Sequence, residues 1–587
     1  MEKTLTTGDI ISHSQDPGAG KAMSVLREIP AVAVVLGVIN FFANYLLSPF
    51  FGVYEDDYVL FLPSQTWGHH QLAHYLQWCF AEAPQGRPIG WVLNALLGYA
   101  TRQHSLEAAY AVGWLILTLN AVLLYFVLKR ASNWFAALIG SATYLVLPVD
   151  LSKMILMHRG YVHCSMTFLL IGLLLYTSGG RGRKVAGFVC AAVSLTIWEG
   201  FFLPFLVAPL LEAVPAKKKW KNLIWHTLFF VLVVSLVLGL RYAAGEQRVT
   251  AMAGGGMETV KRMIEAMVVG PWTGLSTFVL RPIEVLFFAD TIPKVVGLLL
   301  FCAAASAFLF FGIRLNSDRE SGWEKACFLS LAAVTALIFP YILMFRSDYF
   351  PANIAIGRLS CCHAPAAFGY ASLTAALAYV SWLIFRRFRR AVVLLLSLYL
   401  GSLVAFGIHV QETEYVEGWN NQQFVWRRII AQCPDVREGM TILLDTDGLP
   451  ASQGFGAQWP VGAAEESFRD LVQLPVDWSS DSAPRVDGYF PWSDHELKDD
   501  TLVLKSPSWA PKAWPTIKDG NFIFLRFKDG DLRRVTEPVA LFGKEFQPKP
   551  VEEKPPLKLT NLGENLLGTK NSSKWPWFSK ALYYPTP

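Results

Sequence analysis

Apolar residues along the chain gather in long runs that are separated by short stretches rich in Lys and Arg. A run of about 20 apolar residues is long enough to cross the hydrocarbon core of a bilayer as one α-helix. The fifth and sixth runs are unusually short, and Glu199 lies at the bend between them. The pattern predicts about eleven membrane spans, at residues 31–51, 106–128, 134–148, 155–176, 185–197, 201–211, 223–240, 292–313, 326–345, 362–385 and 391–408.

Composition supports a polytopic α-helical membrane protein. Of the 587 residues, 53% are hydrophobic and 17% are charged, and the mean hydropathy of +0.35 is well above that of a soluble globular protein of this size. The net charge is only +5, and the basic residues lie in short clusters between apolar runs. This distribution argues against a nucleic-acid partner.

The basic clusters predict the orientation of the spans. Lys and Arg in short loops stay on the cytoplasmic side of a membrane. A cytoplasmic amino terminus puts every cluster on that side, and an odd number of spans then puts the carboxyl terminus outside. The clusters are residues 129–130, 181–184, 217–221, 314–325 and 386–390.

The same reasoning divides the chain into three parts. Residues 1–29 are predicted as a cytosolic tail, residues 30–408 as a transmembrane domain whose first outer loop is 52–105, and residues 409–587 as a small α/β extracytoplasmic domain. Strands are predicted at "MTILLDTD", "DTLVLK" and "FIFLRFKDGDLRRV", the last with a Lys-Asp-Gly-Asp hairpin. Two outer segments, 86–100 and 271–290, are predicted as helices at the membrane interface.

Three adjacent acids stand where the first span ends, in the stretch "YEDDY". Glu55, Asp56 and Asp57 repel one another and resist burial, so an ordinary solvated loop is one interpretation. The other is that one carboxylate acts as a general base or as a ligand for a divalent cation at a pocket that opens to the outer leaflet, because neighbouring like charges raise the pKa of a carboxyl.

The diacidic motif in this position, the loop with interfacial helices, the ten or more spans and the carboxyl-terminal outer domain together resemble the GT-C superfamily of membrane glycosyltransferases. "QGRPIGWVLN" is similar to bacterial members of the glucosyltransferase type, which are related to protein O-mannosyltransferases and aminoarabinose transferases. The resemblance covers roughly residues 30–410 and implies a plasma membrane location, the inner membrane in a bacterium. The outer domain lacks the Trp-Trp-Asp motif of oligosaccharyltransferases, which favours transfer of a single sugar.

The resemblance implies an inverting transfer of a sugar from a polyprenyl-phosphate donor to a hydroxyl of a glycan, lipid or protein acceptor. Asp56 would be the general base, and Asp57 would orient it or join a cation site. Arginines would hold the lipid phosphate where its negative charge develops. The substrate-binding candidates are Arg87, Arg159, Glu199 and Arg358.

Each of these candidates has a structural alternative. Arg159 and Arg358 could be residues that extend their charge to the interface, and Glu199 could form an ion pair, with Arg159 as one partner. Asp56 and Asp57 would suit Mg²⁺ or Mn²⁺, although arginines alone could hold the phosphate. His70 and His74 lie four residues apart in "HHQLAHYLQW", but histidines of such a loop are more often hydrogen-bonding residues than metal ligands.

Two functions of other classes are alternatives to the transferase. A transporter or flippase for a lipid-linked glycan should show paired halves or charged residues at the middle of its spans, whereas the acids here gather at the outer ends. A noncatalytic membrane scaffold predicts that these acids can be neutralised without loss of function. The sequence therefore favours the transferase.

Overall fold

The computed structural model of this protein is mostly α-helical, with short strands near its carboxyl terminus. Thirteen α-helices lie in the part of the chain that the structure describes: α1 (Pro17–Asn40), α2 (His69–Glu82), α3 (Pro88–Thr101), α4 (Leu106–Ala131), α5 (Trp134–Leu145), α6 (Val162–Thr177), α7 (Arg181–Ile197), α8 (Ala216–Ala243), α9 (Gly256–Phe288), α10 (Trp323–Ile338), α11 (Ala367–Ile384), α12 (Arg389–Val410) and α13 (Glu417–Gln432). The described residues are 17–54, 57, 61, 64, 67–82, 86–101, 106–243, 256–288, 322–345, 350–352, 354, 357–435, 441–445, 470–472, 495–498, 500–504, 516–541 and 543–553.

Eight helical segments among the described residues are long and apolar enough to cross a membrane. All but 256–285 overlap spans predicted from the sequence, so the prediction of a helical polytopic membrane protein is confirmed. The predicted span at 292–313 lies outside the described residues. The eight segments are Glu28–Phe50, Leu106–Ala131, Leu156–Thr177, Ala216–Gly239, Gly256–Val285, Trp323–Leu343, Leu359–Ile384 and Arg386–Phe424.

Three of the predicted spans are shorter than a full membrane crossing. Helix α5 has 12 residues, all buried, so it is a core helix that other helices surround. Helix α7 begins at the basic cluster itself and has 17 residues. The segment after it, Glu199–Leu211, is a 3-10 helix that contains Pro204 and Pro209. Its 13 residues extend over about 26 Å at the 3-10 rise of about 2 Å per residue.

Helix α9 differs from the interfacial helix that the sequence predicts at 271–290. It is one continuous helix of 33 residues with Pro271 and Pro282 inside it. Its carbonyl of Phe278 accepts a hydrogen bond from the Tyr399 hydroxyl (2.8 Å), and its Arg281 guanidinium lies 4.8 Å from the Phe406 ring centre. The prolines and charges interrupt the apolar run in the sequence, but membrane helices tolerate proline when neighbouring helices cover the exposed backbone.

The helices run back and forth, so the bundle has two ends. At one end, called here the Lys129 end, Lys129 binds Glu28 (2.6 Å) and Lys184 binds Glu212 (2.5 Å). At the other, called the Asp57 end, α1, α7, α8 and α12 finish and α4, α6 and α11 begin. The basic clusters 129–130, 181–184 and 217–221 therefore lie at one end, as the predicted orientation requires.

Small residues let neighbouring helices approach closely. Gly172 of α6 faces Gly187 of α7, and a Cβ added to either would lie 2.8 Å from the carbonyl oxygen of the other. A Cβ on Gly140 of α5 would lie 2.6 Å from the carbonyl oxygen of Ala371 in α11. Close backbone approach at small residues is typical of helix packing in membranes.

Four of the carboxyl-terminal strands, β1, β4, β6 and β7, lie in the three segments that the sequence predicts as strands, and the other five were not predicted. A four-stranded sheet has the order β2-β1-β6-β7, with β1 parallel to β6 and antiparallel to β2. The predicted hairpin joins β6 to β7 through Asp529 and Gly530, both at positive φ, as a two-residue hairpin turn of this kind needs. The strands are β1 (Thr441–Asp445), β2 (Asp470–Val472), β3 (His495–Lys498), β4 (Thr501–Leu504), β5 (Thr516–Ile517), β6 (Phe522–Lys528), β7 (Asp531–Val535), β8 (Val539–Leu541) and β9 (Lys544–Phe546).

The sheet is attached to the helical part through α13. Arg534 of β7 binds Asp435 just after α13 (2.5 Å) and also donates to the carbonyl of Gln432 (3.2 Å). Burial would raise the pKa of Asp435, but its hydrogen bonds and ion pair with Arg534 lower that pKa to about 2. Arg428 pairs with Asp531 on the same strand (2.9 Å). Helix α13 therefore links the membrane bundle to the strands.

Candidate active site

Asp57 is fully buried and joins two segments that are far apart in the sequence. Its Oδ1 accepts a hydrogen bond from the backbone N–H of Met157 (2.7 Å), and its Oδ2 accepts from those of Tyr54 (3.1 Å) and Leu156 (3.2 Å). Asp57 therefore fixes the 3-10 turn Leu156–Arg159 against the end of the first span.

The chain before Asp57 is also held by hydrogen bonds from tyrosines. The Tyr110 hydroxyl donates to the carbonyl of Gly52 (2.6 Å), and the Tyr54 hydroxyl donates to that of Tyr415 (2.8 Å). A Cβ on Gly52 would lie 1.8 Å from the Trp419 ring, so only glycine fits there. The first span thus ends in a rigid turn between α4 and the start of α13.

Burial raises the pKa of Asp57 to about 7, although the backbone N–H groups of Met157, Tyr54 and Leu156 and the charge of Arg159 favour the ionised form. The carboxyl is therefore neutral below pH 7 in the folded protein and ionised in the unfolded chain above about pH 4. The neutral Asp57 carboxyl stabilises the folded protein in full below the pKa that the group has in the unfolded chain. This stabilisation is lost as the pH rises through 7.

We expect Asp57→Asn to lower the free energy of unfolding by about 1–2 kcal/mol at pH 5. Asparagine offers one oxygen, so at least one of the three N–H groups would face an NH₂ group. The difference from wild type should shrink as the pH rises from 5 to 8, because only the wild-type protein must ionise a buried carboxyl. Unfolding in mixed detergent micelles, followed by circular dichroism, measures both effects.

The control for this variant is Glu537→Gln, which alters an exposed acid between β7 and β8. We expect its stability to follow the wild type from pH 5 to pH 8. A deficit of Asp57→Asn that grows with pH would contradict the assigned role of burial.

Arg159 is 2% exposed, so it does not extend to the surface as an interfacial arginine would. Its Nε donates to the carbonyl of Leu156 (2.8 Å), its Nη1 donates to that of Ala109, and its guanidinium lies 4.7 Å from the Phe61 ring centre. Its Nη2 has no hydrogen-bond partner within the described ranges. Arg159 thus places positive charge behind Asp57, and it does not pair with Glu199.

Glu199 instead lies between two other arginines. Arg87 binds it with two hydrogen bonds, Nη2 to Oε1 (2.6 Å) and Nε to Oε2 (2.8 Å), and Nη1 of Arg241 lies 3.7 Å from Oε2. Arg241 also donates to the carbonyl of Gly86 (2.7 Å). The structure therefore brings together two predicted site residues, Arg87 and Glu199. Glu199 forms an ion pair, as its structural alternative predicts, but its partners are Arg87 and Arg241 and not Arg159.

The Arg87–Glu199–Arg241 cluster carries two positive charges and one negative charge, hence a net charge of +1. Its side chains are 13%, 22% and 10% exposed, so the cluster is largely enclosed but is reached by solvent. The Trp198 ring connects it to the Asp57 turn, because the Arg87 guanidinium lies 5.6 Å from the ring centre and the His158 ring centre lies 6.4 Å away.

A second buried charged pair, which the sequence analysis missed, lies beside the turn. Lys153 donates to the carbonyls of Leu145 (3.1 Å) and Leu147 (3.2 Å), and Asp150 accepts from the Ser152 hydroxyl (2.6 Å). Burial raises the pKa of Asp150 and lowers that of Lys153 to about 8. Both line a cavity of about 20 Å³, enough for one water molecule.

The remaining predicted residues are described in part or not at all. Asp56 and Glu55 lie outside the described residues. The backbone of Arg358 belongs to the 3-10 helix Gly357–Ala366, but its side chain is outside the described part. That helix lies against the turn region, since the Ser360 hydroxyl accepts a hydrogen bond from the backbone N–H of Leu151 (2.9 Å).

Of the two predicted metal ligands, Asp57 is among the described residues and Asp56 is not. The described residues contain no group of three or more His, Cys, Asp and Glu side chains that could hold an ion. Both oxygens of Asp57 already accept backbone hydrogen bonds, and His70 and His74 are exposed on α2. The predicted use of Asp56 and Asp57 with Mg²⁺ or Mn²⁺ stays a prediction.

Arg241 is the clearest omission of the sequence analysis. It lies in the last turn of α8 at the Asp57 end of the bundle, where the predicted orientation leaves no topological reason for a basic residue. That isolated position was the available signal. The sequence signal for Lys153 and Asp150 was weaker: two charged residues follow an apolar run in "LPVDLSK".

Comparison with known proteins identifies no family for this chain. No protein-family model matches the chain, and no curated protein matches it.

Proposed function

We propose that this protein transfers a sugar from a polyprenyl-phosphate donor to an acceptor hydroxyl at the Asp57 end of the bundle, on the outer face of a plasma membrane. The observation that carries the proposal is the Arg87–Glu199–Arg241 cluster, which holds a net positive charge at the end of an apolar bundle. A phosphate attached to a polyprenyl chain needs this combination, a cationic site next to a hydrocarbon surface.

Helix α8 offers that hydrocarbon surface. Its side chains Leu228, Leu232 and Leu236 recur every four residues on one face and are 57%, 61% and 62% exposed. Arg241 lies in the last turn of the same helix, on the face opposite to these leucines. A polyprenyl chain that lies along α8 would bring its phosphate to the end of the bundle that carries the arginine cluster.

The reaction needs one base and one site for the leaving phosphate. The acceptor oxygen forms a bond to the anomeric carbon as the bond from that carbon to the phosphate oxygen breaks, and Asp56 takes the acceptor proton. The leaving lipid phosphate goes from one negative charge to two. The cluster's net positive charge stabilises the added charge, so no strong general acid is required.

The charge of Arg241 gives a direct test of this proposal. We expect Arg241→Gln to raise the KM for a radiolabelled polyprenyl-phosphate sugar about tenfold, since it removes one charge-assisted contact to the phosphate. Arg241→Lys keeps the charge and should restore part of the affinity. Release of sugar from a panel of such donors, by purified protein in nanodiscs, measures the effect.

Arg262→Gln is the matched control, because Arg262 is 49% exposed on α9 and pairs with Glu258. We expect its KM to equal that of wild type. Absence of turnover with every donor in the panel would reject the transferase and favour transport of a lipid-linked glycan.

A further inference from the structure

A row of aromatic side chains leads from the exposed surface of α2 to the candidate site. Ring centres are 4.5 Å apart for Trp67 and Tyr75, 5.3 Å for Tyr75 and Trp78, 6.2 Å for Trp78 and Trp91, and 6.0 Å for Trp91 and Tyr161. These five residues are called the aromatic track. Trp78 is 38% exposed and Tyr161 is 4% exposed, so the track connects the protein surface to its interior.

The buried end of the track adjoins both parts of the candidate site. The backbone N–H of Trp91 donates to the carbonyl of Arg87 (3.4 Å), so the track lies one helical turn from the arginine cluster. Tyr161 follows Arg159 by two residues, and its ring packs on Gly90, where a Cβ would lie 2.6 Å from a ring carbon. A ligand along the track would therefore present its end to the candidate site.

Two buried donors lie beside the inner part of the track. Trp91 Nε1 and Asn94 Nδ2 have no hydrogen-bond partner among the described residues, and Asn94 is 2% exposed. The two side chains are three residues apart on α3, so they lie on one face of the helix. Unpartnered buried donors are costly, and hydroxyl or ring oxygens of a ligand would satisfy them.

The track differs from a belt of aromatic residues at a membrane interface. Its rings contact one another in series, and the exposed side chains of α2 between them include His70, Gln71, His74 and Gln77. A pyranose ring has an apolar face of C–H groups and a polar edge of hydroxyls. Aromatic rings bordered by polar side chains match both parts, whereas lipid chains would match aliphatic side chains.

We propose that the aromatic track binds a linear glycan of hexopyranose units, as the acceptor whose terminal hydroxyl receives the sugar. This assignment rests on the proposed transferase function and specifies its acceptor as a glycan. Trp78 and Trp91 are binding residues for the acceptor, and Asn94 donates a hydrogen bond to it.

Calorimetric titration of the full-length protein in nanodiscs with cellohexaose, maltohexaose and a linear mannohexaose tests this assignment. We expect wild-type protein to bind at least one of them, and Trp78→Ala and Trp91→Ala to weaken that binding about tenfold. Trp78→Phe keeps an aromatic face and should stay within about threefold of wild type. Trp272→Ala is the matched control, because Trp272 is 76% exposed on α9, away from the track.

Failure of all three hexasaccharides to bind would overturn the assignment, as would equal binding by the wild type and the track variants. Track variants that bind normally but lose stability in nanodiscs would identify a membrane anchor instead. The two proposals can fail separately: donor turnover without glycan binding would leave a transferase with another acceptor, and glycan binding without turnover would leave a glycan-binding membrane protein.

Discussion

Asp56→Asn should reduce the rate of sugar transfer at least about a hundredfold, because a positioned general base contributes a factor of about 10² to 10⁴ to such a reaction. Asparagine keeps the size of the side chain but cannot accept the acceptor proton. The donor KM should change little, since the phosphate is assigned to the Arg87–Glu199–Arg241 cluster. Single-turnover transfer from a radiolabelled polyprenyl-phosphate sugar separates the two quantities.

The surroundings of Asp57 support the assignment of the general base to Asp56, which the family resemblance implies. Both oxygens of Asp57 accept backbone hydrogen bonds and the side chain is fully buried, so it is not free to approach an acceptor. Its place in the turn makes it a positioning residue. Asp57→Asn should therefore lower stability and transfer together, whereas Asp56→Asn should lower transfer alone.

Glu55→Gln is the matched control for Asp56→Asn, because it neutralises the adjacent acid in the same segment. We expect it to retain most of the transfer rate. An Asp56→Asn protein that turns over at the wild-type rate would move the base to another residue, and equal losses in both variants would indicate that the charge of the segment matters more than one base. A chelator added to the wild-type assay decides whether Mg²⁺ or Mn²⁺ takes part.

The sequence predicted the helical membrane fold well because hydrocarbon thickness sets the length of an apolar run. The same rule fails where a segment is buried by protein. Helix α5 is apolar on all sides because other helices surround it, and the segment Glu199–Leu211 is a 3-10 helix because Pro204 and Pro209 cannot donate backbone hydrogen bonds. Helix α9 was missed as one long helix because its charged residues and prolines interrupt the apolar pattern.

The candidate site could be predicted only as a set of residues, because pairing between distant segments leaves no mark in one sequence. An ion pair of Glu199 with Arg159 was one alternative that the sequence left open, beside a role in binding substrate. Arg159 is buried behind Asp57, so Glu199 pairs with Arg87 and Arg241 instead. Arg87 precedes Glu199 by 112 residues in the sequence. A charged side chain at the end of a span was recognisable as unusual, but its partner depends on how the helices pack.

Arg87→Gln should lower the free energy of unfolding by about 3 kcal/mol, the lower end of what breaking a buried ion pair costs. Of its two arginine partners, Glu199 would keep Arg241, whose Nη1 lies 3.7 Å away, beyond hydrogen-bond distance. Glu199→Gln should also be destabilising, because it leaves two arginines side by side. The double variant should lose about 2 kcal/mol less free energy of unfolding than the sum of the two single variants, because each single change leaves the other charge without its partner.

Donor binding separates this structural role from the role of the cluster in function. Glu199→Gln raises the net charge of the cluster from +1 to +2, so the KM for the polyprenyl-phosphate donor should stay the same or fall even as stability falls. The pair Arg281–Glu284, which is also 2.6 Å apart, is the matched control: its variants should leave the donor KM unchanged. Two results would contradict a phosphate site that depends on the net charge of two arginines and one glutamate. One is a loss of stability in the double variant that equals the sum of the two single losses. The other is a donor KM that rises in Glu199→Gln as it does in Arg241→Gln.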